Sequence, residues 1–128
     1  MSTVAQMNRP GIVVPQSEEE DGGGGFDCIV DEWSPYKVNS STVATKALVS
    51  CTSEVESVKG WLFLYWSAYY RTDGAAYYSG SPAGTAFYTP GPCQSGTWQY
   101  NATLSYSAET PNANYDFDDD FPTQWIRC

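Results

Sequence analysis

"VKGWLFLYWSAYYR", residues 58–71, is the most apolar run in the chain and is long enough to form a helix. Its residue types argue against one. Gly60 interrupts the run and aromatic side chains dominate it, and both favour an extended strand. Asp73-Gly74 follows directly, and that dipeptide is a strong hairpin-turn signal. Residues 58–71 therefore read as one long strand. Leu62, Leu64 and Trp66 point to a core, with Trp61, Phe63, Tyr65 and Tyr69 on the opposite side.

The flanking segments have the same texture. On the N-terminal side, "FDCIVDEW" (26–33) places Phe26, Cys28 and Val30 on one face. "TVATKALVSC" (42–51) puts Val43, Thr45, Ala47, Val49 and Cys51 on one side. On the C-terminal side, "AAYYSG" and "GTAFYT" read as short strands around the turn-rich "SGSPAG". In "GTWQYNATLSYSA" (96–108), Trp98, Tyr100, Ala102, Leu104 and Tyr106 face one way, and Thr97, Gln99, Asn101, Thr103 and Ser105 the other. That alternation marks a half-buried strand of an antiparallel sheet. The tail "ETPNANYDFDDDFPTQWIRC" reads as irregular and pinned by Cys128. The fold expected is all-β: an immunoglobulin-like antiparallel β-sandwich of about seven strands, formed by residues 26–128.

Residues 1–25 differ in kind. Their one strand-like patch, "GIVVP", is bracketed by Pro10 and Pro15, which suits an extended arm or an edge strand. "SEEEDGGGG" then reads as a charged, flexible linker, with Gly22 to Gly25 as a joint. Ile12, Val13 and Val14 have nothing to bury against in a lone arm, so they are expected to engage a neighbouring chain. The first sixteen residues lack the basic start and apolar run of a signal peptide. The expectation is a leader removed beforehand, or release by lysis, as virions are released.

The 128 residues carry fifteen acidic and six basic side chains, a net charge of −9. That balance disfavours nucleic acid and anionic membranes as partners, and no segment reaches the length of a membrane span. There is no histidine, which removes the commonest general base and metal ligand, and there is no GxSxG. The carboxylate pairs Asp31/Glu32 and Glu54/Glu56 have nothing to place them in a cleft, so no enzymatic activity and no cofactor are expected. Asp116, Asp118 and Asp120 are the weak metal candidates, but they lack the turn glycine and distal glutamate of a calcium loop. A solvated acidic loop is expected there instead. Cys28, Cys51, Cys93 and Cys128 form no CxxC pair, and their wide spacing reads as two disulfides with three possible connectivities.

"LVSCTSEVESV", "YYRTDGAAYYSGS" and "PCQSGTWQYNATLSYS" give residues 48–106 a resemblance to the small extracellular, cysteine-closed β-sandwich proteins of actinobacteria. The resemblance implies a Cys51–Cys93 bridge, which leaves Cys28 with Cys128, and it implies no catalytic residues. The acidic arm and the outer cysteines depart from it. With five Trp and ten Tyr in the chain, a flat aromatic binding face is also expected, carried by Trp61, Tyr65, Tyr69 and Tyr77. Two functions are in view. The first is a non-enzymatic assembly protein of a virion, a multi-copy capsid decoration or minor head protein of a bacteriophage, attached to capsid subunits through its arm and located on the virion surface. The second is a secreted or cell-surface module that recognises carbohydrate or protein through the aromatic face.

Overall fold

The computed structural model describes residues 26–66 and 71–128. The arm residues Ile12, Val13 and Val14, the glycine joint and Tyr69 lie outside the described residues. Eight strands follow one another: β1 (Cys28–Asn39), β2 (Thr42–Cys51), β3 (Ser57–Trp66), β4 (Arg71–Gly80), β5 (Thr85–Pro92), β6 (Thr97–Glu109), β7 (Asn114–Asp120) and β8 (Gln124–Arg127). They form two antiparallel sheets, one of three strands in the order β1-β2-β5 and one of five in the order β4-β3-β6-β7, with β8 also paired to β6. The chain is an all-β sandwich.

Period-two alternation puts the core between the sheets. Val30 from β1, Val49 from β2, Leu62 from β3, Phe87 from β5 and Leu104 from β6 meet in the larger cluster. Val43, Leu64, Tyr100 and Ile126 form a second cluster at one end, with Trp66 and Trp98 packed against it. Each fully buried leucine there contributes about 1.5–3 kcal/mol. A buried hydrogen bond ties the layers together: the Thr89 hydroxyl of β5 donates to the Leu62 carbonyl of β3 at 2.8 Å.

Three expectations are corrected. Asp73-Gly74 is not a hairpin turn but part of β4, and the chain reverses between Trp66 and Arg71, which are register partners. Leu64 pairs with Gly74 and Tyr65 with Thr72, so Asp73 is the extra residue of a bulge. Gly74 answers to close approach rather than to turning: a Cβ there would lie 2.6 Å from the Pro90 carbonyl oxygen.

The tail is not irregular. β7 pairs with Thr103–Glu109 of β6 and β8 with Thr97–Tyr100, so the two line one edge of the same long strand. The break falls at residues 121–123, where Phe121 still donates to the Ala102 carbonyl at 2.9 Å and Pro122 has no N–H to give. Aspartates disfavour strands in isolation, but on an edge they repel unwanted pairing.

The bridges are Cys28–Cys51 and Cys93–Cys128, not the pairing that the resemblance implies. Geometry forbids the latter. Cys93 sits level with Ser41, donating to its carbonyl at 3.0 Å, just before β2 begins, whereas Cys51 is the last residue of β2. The ten residues of β2 put them roughly 30 Å apart, and a disulfide needs Cα atoms within about 7 Å. Cys28 and Cys51 are instead register partners on adjacent strands. Cys93 and Cys128 follow β5 and β8, so their bridge joins the two sheets at one end. Two such bridges point to an oxidising, extracellular setting.

Candidate functional site

The outer face of the five-stranded sheet is where the pattern departs from a plain solvated surface. Inward residues of β3 alternate with Lys59, Trp61, Phe63 and Tyr65, which point outward. Register carries each of them across the sheet. Trp61 lies between Tyr77 of β4 and Ser105 of β6, and Ser105 is paired with Asp118 of β7. The neighbouring rows run Ser79–Lys59–Ser107–Asp116 and Ala75–Phe63–Thr103–Asp120. Strand by strand, the face is aromatic along Trp61, Phe63 and Tyr65 of β3 with Tyr77 beside them on β4, hydroxyl-bearing on β6 and acidic on β7.

The aromatic strip is ordered. The Trp61 and Phe63 rings lie 6.1 Å apart and within 15° of parallel, and Phe63 and Tyr65 repeat the spacing at 24°. Tyr77 leans on Trp61 at 5.3 Å. Trp61 is 45% and Tyr77 49% exposed, so the two rings are not core that happens to reach the surface. Between the aromatic and acidic strips runs an open depression of about 450 Å³, lined by Lys59, Trp61, Tyr77, Ser105, Asp116 and Asp118 among others.

Its polar wall is partly tied down. Thr103 donates to Asp120 at 2.9 Å and Ser107 donates to Asp116. Asp118 carries no such bond among the described residues, and faces Ser105 across the strand pair. The one cation nearby is engaged: Lys59 Nζ sits 2.6 Å from Glu109, which also accepts from Ser57 at 2.6 Å. The Glu109 hydrogen bond, then its charge, raises the lysine above its ordinary value. The Lys59 and Ser57 hydrogen bonds lower the glutamate below its own. The aspartate strip is therefore surplus negative charge. Flat rings, hydroxyls and open carboxylate oxygens together can stack against a ring and accept hydrogen bonds from it.

Of the expected aromatic set, the structure brings Trp61, Tyr65 and Tyr77 to one face; Tyr69 lies outside the described residues. Asp116, Asp118 and Asp120 share that face as an exposed ladder at alternate positions of β7. Among the described residues, no group of three potential metal ligands comes together. Asp31 and Glu32 point to opposite sides of β1, with Glu32 buried, and Glu54 and Glu56 are exposed.

Trp125 was missed. At 67% it is the most exposed large hydrophobic side chain described, and it stands opposite Gln99 on this same outer face while its neighbour Ile126 enters the core. The signal for it was the Trp125-Ile126 alternation inside a tail read as irregular.

The opposite outer face offers a contrast. There Lys46 already covers the Trp33 ring at 5.0 Å and approaches Tyr36 at 6.0 Å, so a cation of the chain itself occupies its aromatics. No protein-family model, curated protein or solved structure matches the chain.

Proposed function

We propose that the chain is a non-enzymatic recognition module that binds carbohydrate through the outer face of the five-stranded sheet. It works outside the cell or on a virion surface. The observation that carries this reading is the row Tyr77–Trp61–Ser105–Asp118, in which ring, hydroxyl and carboxylate follow in register across four strands. Sugars present an apolar C–H face and a rim of hydroxyl donors, and this surface offers a partner for each. The strand order supports an immunoglobulin-like sandwich, with the second and fifth strands adjacent in one sheet and the third and sixth in the other.

The test is retention on insoluble neutral polysaccharides by the intact chain and by Trp61→Ala/Tyr77→Ala. Tyr88→Ala, on the opposite face, is the control. The intact chain and the control should be retained and the double variant released. Equal retention of all three would sink the reading.

A second reading, the capsid-attached assembly protein, is favoured by β1, an edge strand of the smaller sheet able to accept a strand from a neighbouring copy. The other edge, β5, is covered by β4, whose Tyr78 hydroxyl donates to the Tyr88 carbonyl. Residues 11–15 would be that strand, and the acidic run 18–21 would face a basic receiving surface. Deleting residues 1–25 should then abolish attachment to particles stripped of the protein, and attachment of the whole chain should weaken as salt rises. Undiminished binding by the truncated chain would remove this reading.

A further inference from the structure

Building on the carbohydrate reading, we infer that the ligand is an extended glycan chain without acidic groups. It runs obliquely over the sheet from Trp61 and Tyr77 to Trp125, and Trp125 is a binding residue at its far end. Register supplies the path. Trp61, Phe63 and Tyr65 pair with Ser105, Thr103 and Asn101, so the aromatic strip and β6 advance together towards Gln99. Gln99 pairs with Trp125. From Trp61 to Tyr65 is four residues, about 13 Å. Trp125 lies two residues further along and two strands across, about 12 Å more. The track is thus about 25 Å long, far longer than one sugar ring.

Trp125 is highly exposed and belongs to neither core cluster. Ile126 supplies the core contact of β8, and the indole stands in solvent on a short edge strand. An exposed tryptophan on the same face as three near-parallel rings is accounted for if all four contact one ligand. Asn101 and Gln99 lie between Tyr65 and Trp125 and offer both donors and acceptors to hydroxyls.

Charge sets the ligand class. Asp116, Asp118 and Asp120 border the track on one side, and the adjacent Lys59 is already held by Glu109. At the Trp61–Tyr77 end a uronate or sulfated sugar would bring its anion beside this strip, where Lys59 is already engaged, whereas neutral hydroxyls can donate to the open carboxylate oxygens. Exposed Arg127 stands beside Trp125, at the far end of the track and away from the strip.

The experiment is calorimetric titration of the whole chain with cello-, xylo-, manno- and chito-oligosaccharides of two to six units, and with oligogalacturonates. In at least one neutral series, affinity should rise with each added unit. Trp125→Ala should lower affinity for the hexamer about tenfold and leave the dimer unchanged, while Trp61→Ala should weaken both. Unchanged melting of Trp125→Ala confirms that its fold is intact. Neutral sugars that bind equally well at every length, or a Trp125→Ala variant with full hexamer affinity, would overturn the extended track while leaving carbohydrate recognition standing. Preference for oligogalacturonate would overturn the charge argument alone. Failure of every saccharide, or tighter binding of an oligolysine peptide added as a further ligand, would overturn both readings together.

Discussion

Removing the bridges one at a time tests the sandwich at its two ends. Cys28–Cys51 closes a loop of 23 residues and Cys93–Cys128 one of 35. On the chain-entropy relation these are worth about 3.4 and about 3.8 kcal/mol. The loops do not overlap, so together they approach about 7 kcal/mol, a large share of the 5–15 kcal/mol typical of a single domain. Cys28→Ala/Cys51→Ala and Cys93→Ala/Cys128→Ala should each melt roughly 15–25 °C lower, the second by slightly more. The chain lacking both bridges should be at the margin of folding. Alanine is the right replacement because Cys28 is fully buried and a serine hydroxyl would be stranded in the core. Trypsin makes the connectivity readable. Cleavage after Lys37, Lys46, Lys59, Arg71 and Arg127 isolates Cys28, Cys51, Cys93 and Cys128 on separate fragments. Without reductant, the fragment holding Cys51 should travel with the one holding Cys28. A fragment joining Cys51 to Cys93 would refute the register of β2 against β5 and the reasoning built on it.

Gly60→Ala should cost roughly 3 kcal/mol or more, because its methyl would lie 2.2 Å from the Ser105 carbonyl oxygen and 2.6 Å from the Tyr106 Cα, both backbone atoms. Gly84→Ala, whose nearest neighbour would be the Leu48 side chain at 3.6 Å, should melt like the parent; equal losses in the two would contradict the close pairing of β3 with β6. The Glu109 carboxylate, held below its ordinary value by Lys59 and Ser57, should contribute stability above about pH 4.5 and lose it as the pH falls through its lowered value. Glu109→Gln should therefore melt lower than the parent at neutral pH and converge with it in acid, and parallel melting curves across that window would remove the ion pair from the account. Burial, and then Asp119, raises the Tyr106 phenol, so stability should fall as the pH climbs above about 10. Tyr106→Phe should blunt that alkaline loss, and an unchanged alkaline limb would rule Tyr106 out as its source.

What the sequence reveals follows from what each segment buries. β2, β3 and β6 alternate cleanly because one side of each meets the core, and their inward residues are readable from the pattern alone. β7 hides because its outward positions are Asn and Asp, residues that disfavour strands, while Tyr115 and Phe117 are only half-buried partners of β6. Asp73-Gly74 misleads because a glycine placed to pass beneath Pro90 is spelled like a glycine placed to turn. The aromatic members of the face can be read from β3, since Trp61 and Tyr65 oppose Leu62 and Leu64. The acidic border and Trp125 cannot, because both depend on which strands lie beside β6. The disulfide pattern is likewise a fact of register: Cys51 and Cys93 are at opposite ends of one strand, a distance invisible until β2 and β5 are aligned.

The central claim is that one face, and one path along it, holds the ligand. Amide chemical-shift mapping of the isotope-labelled whole chain during titration with a neutral hexasaccharide tests it most directly. Shifts should be confined to Trp61, Phe63 and Tyr65 on β3, Tyr77 on β4, Gln99 to Ser105 on β6, the facing aspartates of β7, and the indole N–H of Trp125, with β1 and β2 silent. Shifts centred on Trp33, Lys46 and Tyr88, on the other sheet, would contradict it.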